Sequence, residues 1–129
     1  MQTSPQRGTS TAILVVDDDA LITLNIVDHL TDIGYRVFEA YSGREALAIL
    51  EAHPEIGALI TDYSMPLMTG VELAEKARVM RPCLKVLLAT GYADLPEGIA
   101  CEFMRIEKPF REDELTAKLD ELLAHKTAE

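Results

Sequence analysis

Short runs of apolar and β-branched residues alternate along this chain with stretches in which apolar residues recur every three or four positions. The first kind of run is typical of buried strands, and the second is typical of helices that pack on a sheet. The runs predict five strands: Ala12–Val16, Tyr35–Ala40, Ala58–Asp62, Leu84–Ala89 and Glu102–Glu107. Up to five helices fill the intervals, so strands and helices alternate strictly. Such alternation predicts an α/β protein with a parallel sheet and helices on both faces.

Capping signals set the expected helix boundaries. The first helix has apolar residues at positions 22, 26, 30 and 33, and Leu21 and Leu24 reinforce this pattern. Gly34 follows it and suits a helix C-cap. The spacing of a capping box occurs at the start of the next two helices, as Ser42 with Glu45 and Thr69 with Glu72.

The length of 129 residues predicts one domain, which we place at residues 12–125. The polar residues 1–11 are expected to form a disordered leader, and residues 126–129 a frayed C-terminus. No apolar run is long enough for a membrane span, so we expect a cytoplasmic protein without a membrane partner. Cys83 and Cys101 lie in apolar contexts without metal-ligand spacing, which predicts buried thiols.

The charge balance bears on the kind of partner. With 12 basic and 22 acidic residues, the formal net charge is -10. A chain of this charge repels phosphate backbones, and no cluster of Lys and Arg offers a local exception. We therefore expect no nucleic-acid partner.

Polar side chains capable of chemistry follow four of the five predicted strands. They are Asp17 and Asp18 after the first strand, Asp62 after the third, Thr90 after the fourth and Lys108 after the fifth. Each of them alone could be a helix cap, a turn residue or a solvated charge. Because parallel strands bring their carboxyl ends to one edge of the sheet, we expect these residues to converge there. Whether Asp17 with Asp18 or Asp18 with Asp19 forms the acidic pair is left open by the pattern.

Three carboxylates at one edge require a cation. Unit charges about 4 Å apart repel by about 4 kcal/mol at an effective dielectric of about 20. Oxygen ligands without His or Cys favour Mg²⁺ or Mn²⁺. Lys108 and Thr90 supply an ammonium and a hydroxyl that suit a phosphoryl group.

Four motifs in this order resemble the receiver domains of two-component response regulators, the CheY-like family. They are residues 13–18 (ILVVDD), 62–70 (DYSMPLMTG), 89–91 (ATG) and 108–110 (KPF). The resemblance implies a flavodoxin-like doubly wound sandwich with strand order 2-1-3-4-5. It also selects Asp17 and Asp18 as the acidic pair. The sequence of residues 88–94 is similar to the corresponding segment of receiver domains attached to hybrid histidine kinases.

The resemblance further implies a function and a set of roles. Asp62 would accept a phosphoryl group from a phosphohistidine on a histidine kinase or histidine phosphotransfer protein. The protein would catalyse only its own phosphorylation and dephosphorylation, and would signal to an unknown output protein by contact. The metal ligands would be the carboxylates of Asp17, Asp18 and Asp62 and the carbonyl of Ser64. Thr90 and Lys108 would hold the phosphoryl oxygens.

The sequence departs from the family pattern after Thr90. Arg105 stands where many receivers have the aromatic ring of a conformational switch, and only 17 residues separate Thr90 from Lys108. Tyr92 is bulky enough to shield an acyl phosphate from water, which predicts a longer phosphoryl lifetime.

Two other functions are compatible with parts of the pattern. Residues 17–19 can be forced into the D-x-D form of haloacid-dehalogenase-like phosphatases, although a later acidic pair and a cap insertion are missing. A receiver-like docking module that is never phosphorylated is the other alternative, which the complete set of acidic, Thr and Lys residues disfavours.

Overall fold

The computed structural model describes residues 11–91 and 103–124. Residues 1–10 of the predicted leader, Tyr92 and the rest of the interval 92–100 that would hold the fourth helix, Cys101 and Glu102, and the residues from His125 onward lie outside these ranges. The elements, in chain order, are β1 (Ala12–Val16), α1 (Ala20–Asp32), β2 (Arg36–Ala40), α2 (Gly43–Ala52), β3 (Ile56–Asp62), α3 (Gly70–Met80), β4 (Lys85–Thr90), β5 (Met104–Glu107) and α4 (Glu112–Ala124).

The five strands form one parallel sheet in the order β2-β1-β3-β4-β5. This order and the parallel pairing confirm the predicted fold class. The less apolar β5 lies at the edge of the sheet. One irregularity occurs between β1 and β3, where Ala12 pairs with Ile56 and Ile13 with Ala58, so that Gly57 is an extra residue.

An apolar layer covers each face of the sheet. Successive residues of a strand face opposite sides, so β1 sends Leu14 and Val16 to one layer and Ile13 and Val15 to the other. Helices α2 and α3 close the first layer, and α1 and α4 close the second. The sheet is therefore buried on both faces, which leaves its carboxyl edge as the place where polar side chains can gather.

The capping signals are confirmed in full at α3 and in part at α2. Thr69 Oγ1 accepts from the Glu72 N–H at 3.2 Å, and the Glu72 carboxylate accepts from the Thr69 N–H at 3.0 Å. At α2, Ser42 Oγ accepts from the Glu45 N–H at 3.1 Å, but the Glu45 carboxylate bonds the N–H of Tyr41 instead of Ser42.

One expectation about burial, that of Cys83, is wrong, and two apolar residues of α1 are exposed. Leu21 and Leu24 are exposed on α1, because Ile26 and Leu30 already supply its buried side. Cys83 is an exposed free thiol, since it lies in the turn closed by the bond from the Leu84 N–H to the Arg81 carbonyl. None of the helices within residues 11–91 and 103–124 is long and apolar enough to cross a membrane.

Candidate functional site

The carboxyl edge of the sheet brings the predicted residues together. Asp17 directly follows β1, Asp62 and Thr90 end β3 and β4, and Lys108 directly follows β5. Asp17 and Asp62 are each 4% exposed, and Thr90 is also buried. Ser64 lies in the loop two residues after Asp62, where it is exposed.

Three carboxylates form a compact group. Asp17, Asp18 and Asp62 each offer an oxygen that lies within 4.8 Å of the other two. Asp19 instead caps helix α1, because its Oδ1 accepts from the N–H groups of Leu21 and Ile22. Of the two acidic pairs that the residue pattern left open, it is therefore Asp17 and Asp18 that join Asp62.

Lys108 completes the group with a positive charge. Its ammonium forms an ion pair with Asp62 Oδ1. Its backbone N–H donates to the Thr90 carbonyl at 2.8 Å, which fixes the start of the loop after β5 to the end of β4. The peptide bond to Pro109 is cis.

The pKa of Asp17 is raised to about 6, and burial is the main cause. The bond that its Oδ1 accepts from the Asp19 N–H, at 2.9 Å, lowers this pKa. The Asp62 carboxylate raises it, the Lys108 ammonium lowers it, and Asp18 raises it further. The raised pKa therefore reflects mainly the cost of burying the charged carboxylate, to which the neighbouring carboxylates of Asp62 and Asp18 add.

Sequence reasoning missed Thr23 as a supporting residue. The hydroxyl of this fully buried residue lies 3.0 Å from the Asp17 carbonyl and 3.1 Å from the Asp19 carbonyl, so its one proton is shared between the two acceptors. It thereby ties the first turn of α1 to the acidic end of β1. The sequence did contain a signal for this role, because Thr23 lies four residues after Asp19, the N-cap of α1. At this spacing a Thr hydroxyl can reach back to the backbone carbonyl of the capping residue.

The loop after Asp62 is held at both ends by backbone bonds. The Tyr63 N–H donates to the Ala89 carbonyl at 2.9 Å, and the Gly70 N–H donates to the Tyr63 carbonyl at 2.8 Å. A Cβ at Gly70 would overlap the Asp62 carbonyl oxygen and lie 2.9 Å from Tyr63 Cα and 2.8 Å from Leu88 Cδ1. Helix α3 can therefore begin this close to the acidic edge only because residue 70 is Gly.

The donor set fits a hard divalent cation. It consists of carboxylate oxygens without His or Cys, and two of its three carboxylates belong to buried residues. A cation there would offset the charges of the Asp62 and Asp18 carboxylates, both of which raise the pKa of Asp17. The residues present therefore form an acidic cluster that could bind a metal.

The model of the response regulator receiver domain family matches residues 13–120. The chain belongs to this family. This receiver domain is 32% identical to the transcriptional regulatory protein FixJ of Bradyrhizobium diazoefficiens, over 84% of the chain and 54% of FixJ. It is 35% identical to the sensor kinase CckA of Brucella abortus, over 90% of the chain and 13% of CckA. A CheY-like receiver domain protein from Methanospirillum hungatei JF-1 has a similar solved structure, with TM-score 0.80 and 34% identity over 88% of this chain and 94% of that one.

Membership in the family establishes the class of activity. Receiver domains are the phosphoacceptor signalling modules of two-component systems, and they interact with histidine kinases and output domains. The predicted family and fold are thus confirmed. The receiver domain spans about half of FixJ and a small part of CckA. Arg105, the residue that departs from the family pattern, is exposed in β5 and pairs in register with Leu88.

Proposed function

We propose that Asp62 is the phosphoryl acceptor of this receiver domain, and that Asp17, Asp18, Thr90 and Lys108 assist the transfer. The observation that carries the proposal is the grouping of three carboxylates within 4.8 Å, with Lys108 ion-paired to Asp62. Asp62 is the member of this group that both ends a central strand and contacts the ammonium. A nucleophile in this position can be oriented by the strand on one side and by Lys108 on the other.

The chemical step is a displacement at phosphorus. An Asp62 oxygen attacks the phosphorus of a phosphohistidine, the O–P bond forms and the N–P bond breaks. The imidazole leaves with the electron pair of the N–P bond and takes up a proton. Positioning and neutralisation of charge on the phosphoryl oxygens are the main demands of such a step, and Lys108 and Thr90 can meet them with an ammonium and a hydroxyl.

The cofactor of this proposal is Mg²⁺, with Mn²⁺ as a substitute. Asp17, Asp18 and Asp62 would hold it through their carboxylates, and Ser64 through its carbonyl. When bound, the cation supplies positive charge that stabilises the phosphoryl oxygens. Hydrolysis of the acyl phosphate at the same site would return Asp62 to its free form, so the domain would catalyse both its own phosphorylation and its dephosphorylation.

A phosphohistidine on a histidine kinase or a histidine phosphotransfer protein is the proposed donor. The output is contact with another protein or with another domain of a longer chain, as the matches to a transcriptional regulator and a sensor kinase support. A cytoplasmic location and the lack of nucleic-acid and membrane partners stay predictions from composition.

Intact mass spectrometry with acetyl phosphate tests the proposal. Incubation with Mg²⁺ should add one phosphoryl group, and omission of Mg²⁺ or addition of EDTA should prevent it. Asp62→Asn should lose the adduct, since the amide is not a nucleophile at this step. Asp28→Asn is the matched control, because Asp28 is an exposed Asp on α1 outside the acidic group.

Other results would favour the two alternative functions. Lack of an adduct in the wild type, with the fold intact, would point to a docking module. Catalytic release of phosphate from a panel of phosphate monoesters would point to a phosphatase. An adduct that persists in Asp62→Asn would place the acceptor elsewhere.

A further inference from the structure

Leu67 has an unusual backbone conformation at the tip of the loop between β3 and α3. Its φ is 72°, and within residues 11–91 and 103–124 it is the only non-glycine residue with a positive φ. The Met68 N–H donates to the Pro66 carbonyl at 2.8 Å, so Leu67 is the central residue of a γ-turn. A γ-turn with a positive φ at its centre is rare and strained.

The side chain of Leu67 does not stabilise the fold in a way that would offset this strain. It is fully exposed, at 106% of the reference value, so folding removes none of its apolar surface from water. Gly or Asn would adopt the same backbone at lower cost. A strained and exposed Leu that does not stabilise the fold is an observation from which a functional role can be inferred.

Two methionines of the same loop, Met65 and Met68, face the interior. Met65 is buried in the apolar layer beneath α2 and α3, and Met68 packs against the same layer. Met68 also lies so close to Gly43 that a Cβ there would be 2.6 Å from its sulfur. The loop therefore contributes these two methionines to the apolar layer, while Leu67 between them is exposed.

Leu67 is separated from Asp62 by only four residues, and Asp62 is 4% exposed. A protein that brings a phosphohistidine to Asp62 must approach the carboxyl edge of the sheet, where the loop that carries Leu67 begins. We propose that Leu67 is an anchor for that phosphodonor protein, whose surface offers an apolar pocket. The exposed carboxylate of Asp18, in a chain of net charge -10, favours basic residues around the pocket. This inference rests on the proposed function of Asp62.

The test compares transfer from a protein donor with transfer from a small one. Histidine kinases of the source organism are purified, autophosphorylated with ATP and screened, and the fastest donor to the wild type is used. Leu67→Asn, which suits a positive φ, should raise the KM for this transfer about tenfold with little change in kcat. Leu67→Met keeps an apolar side chain and should stay within about twofold of the wild type. Acetyl phosphate should label all variants at the wild-type rate.

Val79→Asn is the matched control, because Val79 is an exposed aliphatic residue near the C-terminal end of α3, away from the acidic edge. It should change neither reaction. Equal transfer to Leu67→Asn and to the wild type would overturn the proposal. So would an equal loss of labelling with acetyl phosphate, because Leu67 would then act on the acidic group itself.

Two further outcomes distinguish an anchor for the donor from a dimer contact and from a failure of the proposed function. A concentration-dependent dimer of the wild type that Leu67→Asn dissolves, without a change in transfer, would assign Leu67 to a contact between two copies and overturn the proposal. Failure of acetyl phosphate to label the wild type at Asp62 would instead overturn the proposed function, and the anchor role with it.

Discussion

Lys108 forms an ion pair with Asp62 although their strands, β5 and β3, are separated in the sheet by β4. The ammonium therefore spans the end of the intervening strand, where the Lys108 N–H is bonded to the Thr90 carbonyl. The Lys108 ammonium is thus in contact with the carboxylate of the proposed nucleophile. In the proposed reaction it must exchange this carboxylate contact for one with phosphoryl oxygens.

Replacement of Lys108 by Gln should have opposite effects on metal binding and on phosphorylation. Mg²⁺ should bind about tenfold more tightly, because a positive charge near the acidic group is removed and solvent screens part of its effect. Labelling by acetyl phosphate should slow by at least about tenfold, because an electrostatic contact to the phosphoryl group is lost. Calorimetric titration with Mg²⁺ and intact-mass time courses measure the two effects.

Lys76→Gln is the control, because it removes the same charge from an exposed position on α3. It should leave the Mg²⁺ affinity and the rate of labelling near the wild-type values. Weaker Mg²⁺ binding by Lys108→Gln would contradict the charge argument. Unchanged labelling would exclude Lys108 from the transfer.

The raised pKa of Asp17 predicts how the stability of the metal-free protein depends on pH. The folded-state pKa of about 6 is above the usual value of 3.8, so between these values the folded state binds more protons than the unfolded state. The contribution of Asp17 to the free energy of unfolding is therefore greatest at low pH and falls as the pH rises from about 4 to about 6. The loss should be up to about 3 kcal/mol, at about 1.4 kcal/mol for each pKa unit.

Asp17→Asn isolates this contribution, since its amide oxygen can still accept from the Asp19 N–H. In EDTA above pH 6, the variant should be more stable than the wild type, and below pH 4 the difference should vanish. Saturating Mg²⁺ should stabilise the wild type and reverse the order. Urea unfolding across this pH range measures the difference, and a difference that does not change with pH would contradict the prediction.

The fold could be predicted because the apolar runs mark every strand in the right order, although β2, β3, β4 and β5 begin one or two residues away from the predicted positions. The apolar run at Ala12–Val16 matches β1 at both ends, and the capping box at Thr69 is present as expected. Burial at single positions was less predictable, because it depends on which side of an element meets the sheet. Leu21 and Leu24 extend an apolar pattern on α1 whose buried side Ile26 and Leu30 already fill.

The site was predictable to the extent that the topology of parallel strands brings their ends together. That rule identified Asp62, Thr90 and Lys108 from positions far apart in the sequence. The rule could not decide whether Asp17 or Asp19 pairs with Asp18, because both follow β1. That choice depends on where α1 begins, since Asp19 is the N-cap of that helix. The rule also could not find Thr23 or Leu67, whose places depend on a side-chain contact to a carbonyl and on a positive φ.

Removal of the Thr23 hydroxyl should loosen the acidic end of β1. Thr23→Val keeps the buried shape but leaves the Asp17 carbonyl without this donor, which should lower the free energy of unfolding by about 1–2 kcal/mol. Mg²⁺ affinity should fall about tenfold, as is usual when a residue that supports a metal ligand is lost. Thr23→Ser retains the hydroxyl and should keep most of the Mg²⁺ affinity. Calorimetry on the two variants checks this, and equal affinities would show that Thr23 has only a structural role.

The close approach of α3 to the acidic edge makes Gly70 the most demanding glycine of the site. In Gly70→Ala, the new Cβ would meet the Asp62 carbonyl, Tyr63 Cα and the Leu88 side chain, and two of these obstacles are backbone atoms. We expect a loss of about 1–3 kcal/mol in the free energy of unfolding, as for other overpacked sites. We also expect slower labelling by acetyl phosphate, because the peptide group between Asp62 and Tyr63 must shift.

Gly43→Ala provides the comparison, since its Cβ would meet only the flexible side chain of Met68. This variant should lose less stability than Gly70→Ala and should be labelled at a rate close to that of the wild type. Urea unfolding and intact-mass time courses on the two variants measure both effects. Equal losses of stability would mean that the backbone near Asp62 can move as easily as the Met68 side chain, and unchanged labelling of Gly70→Ala would mean that the acceptor tolerates such a shift.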